Sequence, residues 1–168
     1  MNRKRFVIYG LMAAALLSAL AAYSAVPQEA VTTVLRGFQE VPAISTPATG
    51  AFNGNINRFG TRIDYKLSYS GLSGKATMAH LHFGQPGVNG GIFTFLCGGG
   101  TKTDPCPSPS GTVSGSITET DIAAVASQGI DAQDLAEVIR AIRAGLVYAN
   151  VHSDRFPSGE IRGQLRAQ

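Results

Sequence analysis

A strict alternation of apolar and polar residues at 61–69 most constrains what this chain can fold into. Ile63, Tyr65, Leu67 and Tyr69 occupy every second position, and polar residues stand between them. Because successive side chains of a strand point to opposite faces, this pattern predicts a β-strand with one buried face. Turn-forming segments separate further candidate strands, so the spacing predicts an all-β sandwich or barrel. The other predicted strands cover residues 31–35, 49–56, 77–83, 91–97, 146–153 and 159–165.

One region departs from the strand pattern, and we predict a small helical insert near 118–144. The segment Thr118-Glu119-Thr120-Asp121 resembles a capping box, which predicts a short helix that ends at Gln128. Asp131 is placed to cap a second helix that stops at Gly145. This second helix carries an apolar stripe formed by Leu135, Val138, Ile139 and Ile142. We expect the insert to cover one end or edge of the sheet.

The start of the chain accounts for its formal charge of +3. Residues 1–24 contain Arg3, Lys4 and Arg5 and no acid, and the remainder is balanced between acids and bases. The balanced remainder gives no reason to expect a nucleic-acid partner. The basic cluster precedes an apolar run at 6–22, and small residues follow at Ala22 and Ser24. This order is typical of a secretory signal peptide, with an uncleaved membrane anchor as the alternative.

We expect cleavage after Ser24 or Ala25, which leaves a short tail at 25–31 and one folded domain. The mature protein is then periplasmic or secreted and has no membrane partner. Cys97 and Cys106 lie nine residues apart across a segment rich in glycine and proline. In an oxidising compartment a local disulfide is the default, and a pair of metal-binding thiolates is the competing interpretation.

The three histidines of the chain are the strongest candidates for chemistry. His80 and His82 alternate with the apolar Ala79 and Leu81, so they share the face of their strand that points away from the core. The same phasing places His152 on the non-core face of the strand at 146–153. This face lies outward or under a loop. The glycine-rich segment 84–91 lacks the lysine and helix of a phosphate loop, and we expect it to shape the edge of the histidine site.

If the two strands are neighbours, the three imidazoles converge on one point. Histidines two apart on a strand suit two ligands of one metal ion, and His152 completes a three-nitrogen set. Met78 shares the histidine face and adds a thioether. Imidazoles with a thioether favour copper, whereas three imidazoles alone also suit zinc. The alternative is that these are ordinary surface or hydrogen-bonded histidines.

Residues around the predicted ligands are expected to support them without binding the metal. Asn150 falls on the same face as His152, and Glu160 and Arg162 point outward from the strand at 159–165. Glu40, Asp154 and Glu160 are the carboxylates in reach of an acid or base role. No sequence spacing pairs them, which favours structural or supporting roles.

Four segments in order resemble the CHRD domain family, named after repeats in chordin, an extracellular antagonist of bone morphogenetic proteins. They read LRGFQEVP, AHLHFG, GLVYANVHS and FPSGEIRGQL, and the likeness spans about residues 32–166. The resemblance implies a CHRD domain over 32–168 in a bacterial, exported protein. It also implies an extracellular or periplasmic protein as a partner.

A more distant likeness concerns the order of the His-x-His strand, the later Val-His and the Gly-x-x-Arg-Gly segment. That order is similar to Cu/Zn superoxide dismutase, an antiparallel Greek-key barrel. The likeness implies copper on His80, His82 and His152, with Arg162 as an arginine that guides an anion. The chain lacks a fourth histidine to bridge copper and zinc. Three functions therefore compete: a mononuclear copper protein, a protein-binding or matrix module with structural histidines, and an enzyme that acts on a small oxidant.

Overall fold

The predicted strands form and assemble into one antiparallel sheet, so the all-β prediction is confirmed. The computed structural model describes residues 28–168, and the predicted signal peptide lies outside them. One α-helix, α1 (Leu135–Arg143), interrupts the strand order. The strands are β1 (Glu29–Arg36), β2 (Thr49–Ile56), β3 (Ile63–Ser70), β4 (Ala76–Phe83), β5 (Gly91–Cys97), β6 (Gly111–Ile117), β7 (Val147–Ser153), β8 (Ile161–Gln164) and β9 (Arg166–Ala167).

The strand order in the sheet is β5-β4-β7-β8-β1-β2-β3-β6, and the short β9 pairs with β1. Three hairpin-connected strands at the start of the chain thus lie beside strands from its end. The sheet curls until its two end strands, β5 and β6, approach each other without forming a ladder. The result is a nearly closed barrel with one open line along its wall, which we call the seam.

Side chains and loop backbone, rather than a strand ladder, close the seam. The Tyr65 hydroxyl on β3 donates to the Leu96 carbonyl on β5 at 2.9 Å. Gly115 on β6 leaves space for this phenol, because a Cβ there would lie 2.9 Å from the hydroxyl oxygen. The Ala123 amide donates to the Phe93 carbonyl at 2.7 Å and covers part of the β5 edge. The predicted covering role of the insert is therefore correct.

The inner face of the barrel is the apolar core. On β3 the alternation predicted from sequence appears directly, since inward residues are buried and intervening residues are at least partly exposed. Removing this apolar surface from water is the main favourable contribution to the fold. The fully buried apolar side chains include Val31, Leu35, Leu67, Leu81, Phe93, Ile117, Val138, Val147, Val151, Ile161 and Leu165.

Two elements differ from the sequence prediction. The sequence does not predict β6, because Gly-Thr-Val-Ser-Gly-Ser-Ile has little intrinsic strand preference. It forms by pairing with β3 at residues 63–69. The first predicted helix is wrong: only two short 3-10 turns form, at Glu119–Asp121 and Ala126–Gln128. The backbone between them instead bonds to the β5 edge.

The second predicted helix forms as α1, but its cap was misplaced. Asp134, rather than Asp131, accepts a hydrogen bond from the Glu137 amide at 2.9 Å. The predicted apolar stripe is buried against the core, as expected. Within residues 28–168, no helix is long and apolar enough to cross a membrane.

Candidate metal centre

β4 and β7 are hydrogen-bonded neighbours, which is the condition under which the three histidines converge. Both strands turn their apolar residues into the barrel, so their polar residues share the opposite face. Directly opposed residues of neighbouring strands have Cβ atoms about 5 Å apart. The opposed pairs on this face are Met78 with His152, His80 with Asn150, and His82 with Tyr148.

The structure gathers His80, His82 and His152 into one cluster. Their possible ligand atoms all lie within 4.8 Å of one another. The His80 ring centroid is 4.6 Å from that of His82 and 4.4 Å from that of His152. Their exposed fractions are only 0%, 9% and 7% respectively, so the face lies under loops and not in open solvent. Three nearby histidines of this kind could hold a metal ion.

Backbone carbonyls fix the orientation of two of the rings. Nδ1 of His82 donates to the Gly90 carbonyl at 2.8 Å, and Nδ1 of His152 donates to the Pro157 carbonyl at 2.8 Å. A proton on Nδ1 leaves the Nε2 lone pair free, which is how metal-binding histidines are commonly held. Nε2 of both rings has no hydrogen-bond partner. The carbonyl of Gly90 belongs to the glycine-rich segment predicted to edge the site.

His80 is the most unusual of the three residues. It is fully buried, and neither of its ring nitrogens has a hydrogen-bond partner. The Phe95 ring contacts it edge-on, with centroids 5.3 Å apart. A buried polar atom without a partner costs about 1–3 kcal/mol, so an imidazole in this state requires a compensating interaction. A metal ion bound to either ring nitrogen would supply one.

Burial keeps all three imidazoles neutral. The pKa of His80 is lowered to about 2, mainly by burial and in addition by the neighbouring imidazoles of His152 and His82. Burial likewise lowers the pKa of His82 to about 4, although the hydrogen bond to Gly90 opposes the shift. The pKa of His152 is also lowered by burial. Since only the neutral imidazole binds a metal, the cluster is in its binding form at neutral pH.

A buried stack extends from the cluster toward β8. The Tyr148 ring lies parallel to the His82 imidazole, with centroids 4.4 Å apart and planes inclined by 7°. The guanidinium carbon of Arg162 lies 3.4 Å from the centroid of the Tyr148 ring, a close cation–π contact. The stack therefore covers one face of the His82 ring.

Arg162 is only 2% exposed and donates hydrogen bonds to the loop that covers the site. Its two terminal nitrogens donate to the Gln85 and Val88 carbonyls at 3.2 and 2.8 Å and to Asn89 Oδ1 at 3.2 Å. The guanidinium therefore pins residues 84–90 over the histidines. Because it is buried and three of its five N–H groups bond to this loop, the guanidinium is not open to solvent.

Asn150 and Glu40 form a second buried polar pair beside the cluster. The Asn150 amide donates to Oε1 of Glu40 at 2.6 Å. Gly159, at a φ of 123°, permits this contact, because a Cβ there would lie 2.7 Å from the Asn150 nitrogen and 2.8 Å from the Glu40 oxygen. Burial raises the pKa of Glu40 to about 7, against the lowering effects of Arg162 and Asn150.

Glu160 lies on the same face but binds the surrounding loops. Its carboxylate accepts hydrogen bonds from Thr46 and Ser153 at 2.7 and 2.5 Å and from the Ser73 amide at 2.8 Å. Ser153 is the residue after His152, so Glu160 fixes the end of β7. Asp154, the third carboxylate weighed from sequence, accepts from the Lys75 amide at 2.9 Å.

Cys97 and Cys106 form the predicted disulfide, so the alternative of a thiolate pair for metal is wrong. Cys97 pairs across the ladder with Ala79, which precedes His80. The disulfide therefore anchors the segment that follows β5 close to the histidine strand.

The sequence predicts which face of the strands carries the site, but it does not predict the contact between Glu40 and Asn150 beside the histidines. The alternation Tyr148-x-Asn150-x-His152 contains the signal that puts all three on the histidine face. No local signal connects Glu40 to Asn150, which is 110 positions away along the chain. Nor does the sequence show which loop carbonyls accept hydrogen bonds from the imidazoles.

Fold and site together define the molecule as an antiparallel β-barrel domain with a buried cluster of three histidines that could hold a metal ion. The family model described as CHRD domain matches residues 31–165. The chain belongs to the CHRD family, as its sequence predicts. A search of curated proteins and a search of solved structures each found no match. CHRD domains are of extracellular type, and the disulfide is compatible with secretion.

Proposed function

We propose that this protein binds a single copper ion through His80, His82 and His152. The observation that carries the proposal is the set of converging, buried ring nitrogens that lack hydrogen-bond partners. Two of these rings are already held in the tautomer that leaves Nε2 free. A purely structural histidine would use both nitrogens or expose one to water.

Copper is favoured by the chemistry of the donors. Neutral imidazole suits both Cu(II) and Zn(II), and the half-buried Met78 on the same face adds a soft thioether that suits Cu(I). Zinc is the alternative ion for the three nitrogens alone. A bound copper ion would be a stored or transferred cargo or would supply one-electron chemistry. The chain holds the rings, excludes water with the loop 84–90 and keeps the imidazoles unprotonated.

We further propose that the protein acts outside the cytoplasm, in the periplasm or the medium, after removal of residues 1–24. The order of basic, apolar and small residues at the start of the chain supports this. Mass analysis of the exported protein is expected to find a first residue near Ala25 or Val26. Exported protein that retains Met1 would contradict the cleavage.

A protein-binding or matrix module is the second candidate, because the chain belongs to the CHRD family and that family takes its name from an extracellular antagonist. An enzyme that acts on a small oxidant is less well supported, since Arg162 is buried and donates three hydrogen bonds to the covering loop. Metal content separates the first two candidates. Protein purified without chelators is expected to carry or to take up one copper per chain, measured by elemental analysis and competition titration.

Variants of the three histidines test the site itself. We expect His80→Ala, His82→Ala and His152→Ala each to weaken copper binding by more than about 100-fold, since even supporting residues are worth about 10–100-fold. Tyr65→Phe is the matched control, because it removes a buried hydroxyl at the seam and leaves the cluster intact. If the three histidine variants bind like Tyr65→Phe, the histidines are structural and the protein-binding candidate replaces the copper one.

A further inference from the structure

The histidine face contains one more buried atom that no group in the structure satisfies. Oδ1 of Asn150 has no hydrogen-bond partner, and the residue is only 2% exposed. Asn150 stands directly opposite His80, whose two nitrogens also lack partners. It lies two residues before His152 on the same face of β7. The unpartnered oxygen and the unpartnered nitrogens therefore belong to one buried patch.

The orientation of the Asn150 amide is fixed. Its nitrogen donates to Glu40 at 2.6 Å, so the oxygen is the free end of the amide and faces away from the carboxylate. Gly159 allows the close approach of this pair, and the nearby Pro157 carbonyl holds His152. A single loop thus positions both a metal-binding imidazole and the amide oxygen.

The reach of the side chains indicates what the oxygen contacts. An asparagine oxygen is two bonds from Cβ, whereas Nε2 of an imidazole is three bonds from Cβ and extends further from the strand. Opposed Cβ atoms are about 5 Å apart, so an ion held by the ring nitrogens would have the amide oxygen of Asn150 as a neighbour, close enough for one solvent molecule to bridge them. Buried water of this kind binds where otherwise unsatisfied polar atoms converge.

We propose that Oδ1 of Asn150 accepts a hydrogen bond from the solvent molecule that fills the fourth coordination position of the oxidised ion. This inference rests on the copper function proposed above and assigns Asn150 a positioning role. Cu(II) retains oxygen ligands, whereas Cu(I) prefers soft donors, which the site offers in Met78. Asn150 then selects for the oxidised ion and Met78 for the reduced one.

The test compares affinities for the two oxidation states. Asn150→Leu is expected to weaken Cu(II) binding by about 10–100-fold, the usual effect of a residue that supports a metal site, and to change Cu(I) affinity by less than about threefold. Met78→Leu is expected to show the reverse preference. Asn55→Leu is the matched control, because Asn55 is the other described asparagine with a buried, unpartnered oxygen and lies on β2.

A second variant keeps the test independent of folding. The exchange variant Glu40→Gln with Asn150→Asp preserves one amide and one carboxylate in the pair and returns an oxygen toward the ion. We expect it to restore Cu(II) affinity to at least that of the parent. Proton relaxation of bulk water by the Cu(II) form reports the coordinated solvent directly, and it is expected to change in Asn150→Leu but not in Asn55→Leu.

The outcomes separate the two proposals. Copper binding by the parent with equal Cu(II) affinity in Asn150→Leu and Asn55→Leu overturns the role of Asn150 alone. Equal losses of Cu(II) and Cu(I) in Asn150→Leu also overturn it, because the residue would then only support the fold. A parent protein that binds neither ion overturns both this inference and the copper function.

Discussion

The two halves of the barrel wall treat their outer faces differently. In the half formed by β1, β2, β3 and β6, inner residues are buried and many outer residues meet solvent, so that β3 alternates between buried and exposed positions. In the half formed by β5, β4, β7 and β8, much of the outer face is covered as well, and every residue of β7 is buried. The second half therefore carries a buried polar layer outside the apolar core.

The difference comes from the loops and not from the strands. The segments at 84–90 and 154–160 fold back over β4, β7 and β8 and offer backbone carbonyls to His82, His152 and Arg162. Within residues 28–168, no comparable cover lies over β3, whose outer residues are partly or fully exposed. An alternating strand pattern thus predicts which residues leave the core, while the loops decide whether those residues meet water or form a site.

Loss of the covering loop should produce the largest effect. Arg162→Met removes three hydrogen bonds from a charged donor and the contact with Tyr148. Each such hydrogen bond contributes about 1.5–3 kcal/mol, and removing a buried charge offsets part of the total loss. We therefore expect the free energy of unfolding to fall by about 3–5 kcal/mol. Chemical denaturation measures it. A loss below that of an average surface variant would show that Arg162 does not hold the loop.

Replacing His80 should stabilise the metal-free protein. His80→Leu removes two unpartnered buried nitrogens and retains an apolar contact with Phe95. We expect an increase in the free energy of unfolding of about 1–2 kcal/mol at pH 7, because an unsatisfied polar group is replaced by an apolar one. If the proposed copper function is correct, the same variant is expected to lose metal binding.

Acid should enlarge the advantage of His80→Leu. The pKa of His80 falls from its usual value near 6.5 to about 2 on folding, so below pH 6.5 the unfolded chain binds a proton that the folded chain does not. The parent therefore loses about 2 kcal/mol from this residue between pH 6.5 and pH 5, and the variant does not. Denaturation at both pH values tests the sign, and an advantage that shrinks in acid would contradict the buried neutral state.

Glu40 should show the opposite dependence on pH. Its pKa rises on folding from 4.5 to about 7, so the folded state binds the extra proton and stability is lost as pH rises through that range. Glu40→Gln keeps an acceptor for the Asn150 amide and removes the titration. We expect the variant to be more stable than the parent by about 2–3 kcal/mol at pH 8 and similar to it below pH 4.5. Parallel stability curves for the two proteins would refute this.

The uncovered half should tolerate change. Lys66 on β3 is exposed and opposes Asn53 and Ser114 on the neighbouring strands. Lys66→Ala is expected to alter the free energy of unfolding by no more than about 0.5 kcal/mol, because surface changes without special contacts have small effects. A larger loss would mean that the contrast between the two halves is overstated.

Much of this organisation could be predicted from the sequence, because side chains of a strand alternate between its two faces with a period of two residues. The alternation around His80, His82 and His152 placed them on one side of the wall before any contact was known. β6 could not be predicted in this way, because its pairing with β3 outweighs its weak preference for strand. Asp134 replaced Asp131 as the helix cap because the choice depends on where the preceding turn ends. The pairing of Glu40 with Asn150 depends on the closure of the barrel, which no local pattern encodes.

The seam is a place where the barrel can open locally. β5 and β6 are each held by a single neighbouring strand, and a phenol hydroxyl links Tyr65 to the backbone of β5 across the gap. Deuterium should therefore enter the amides of these two strands before those of β7 and β8, since edge elements open at low energy. β5 also carries Phe95, which lies against His80. Such partial opening would let an ion enter or leave the buried histidines while the rest of the barrel stays folded. Because Tyr65→Phe removes the hydrogen bond across the seam, it should speed metal exchange without changing the affinity.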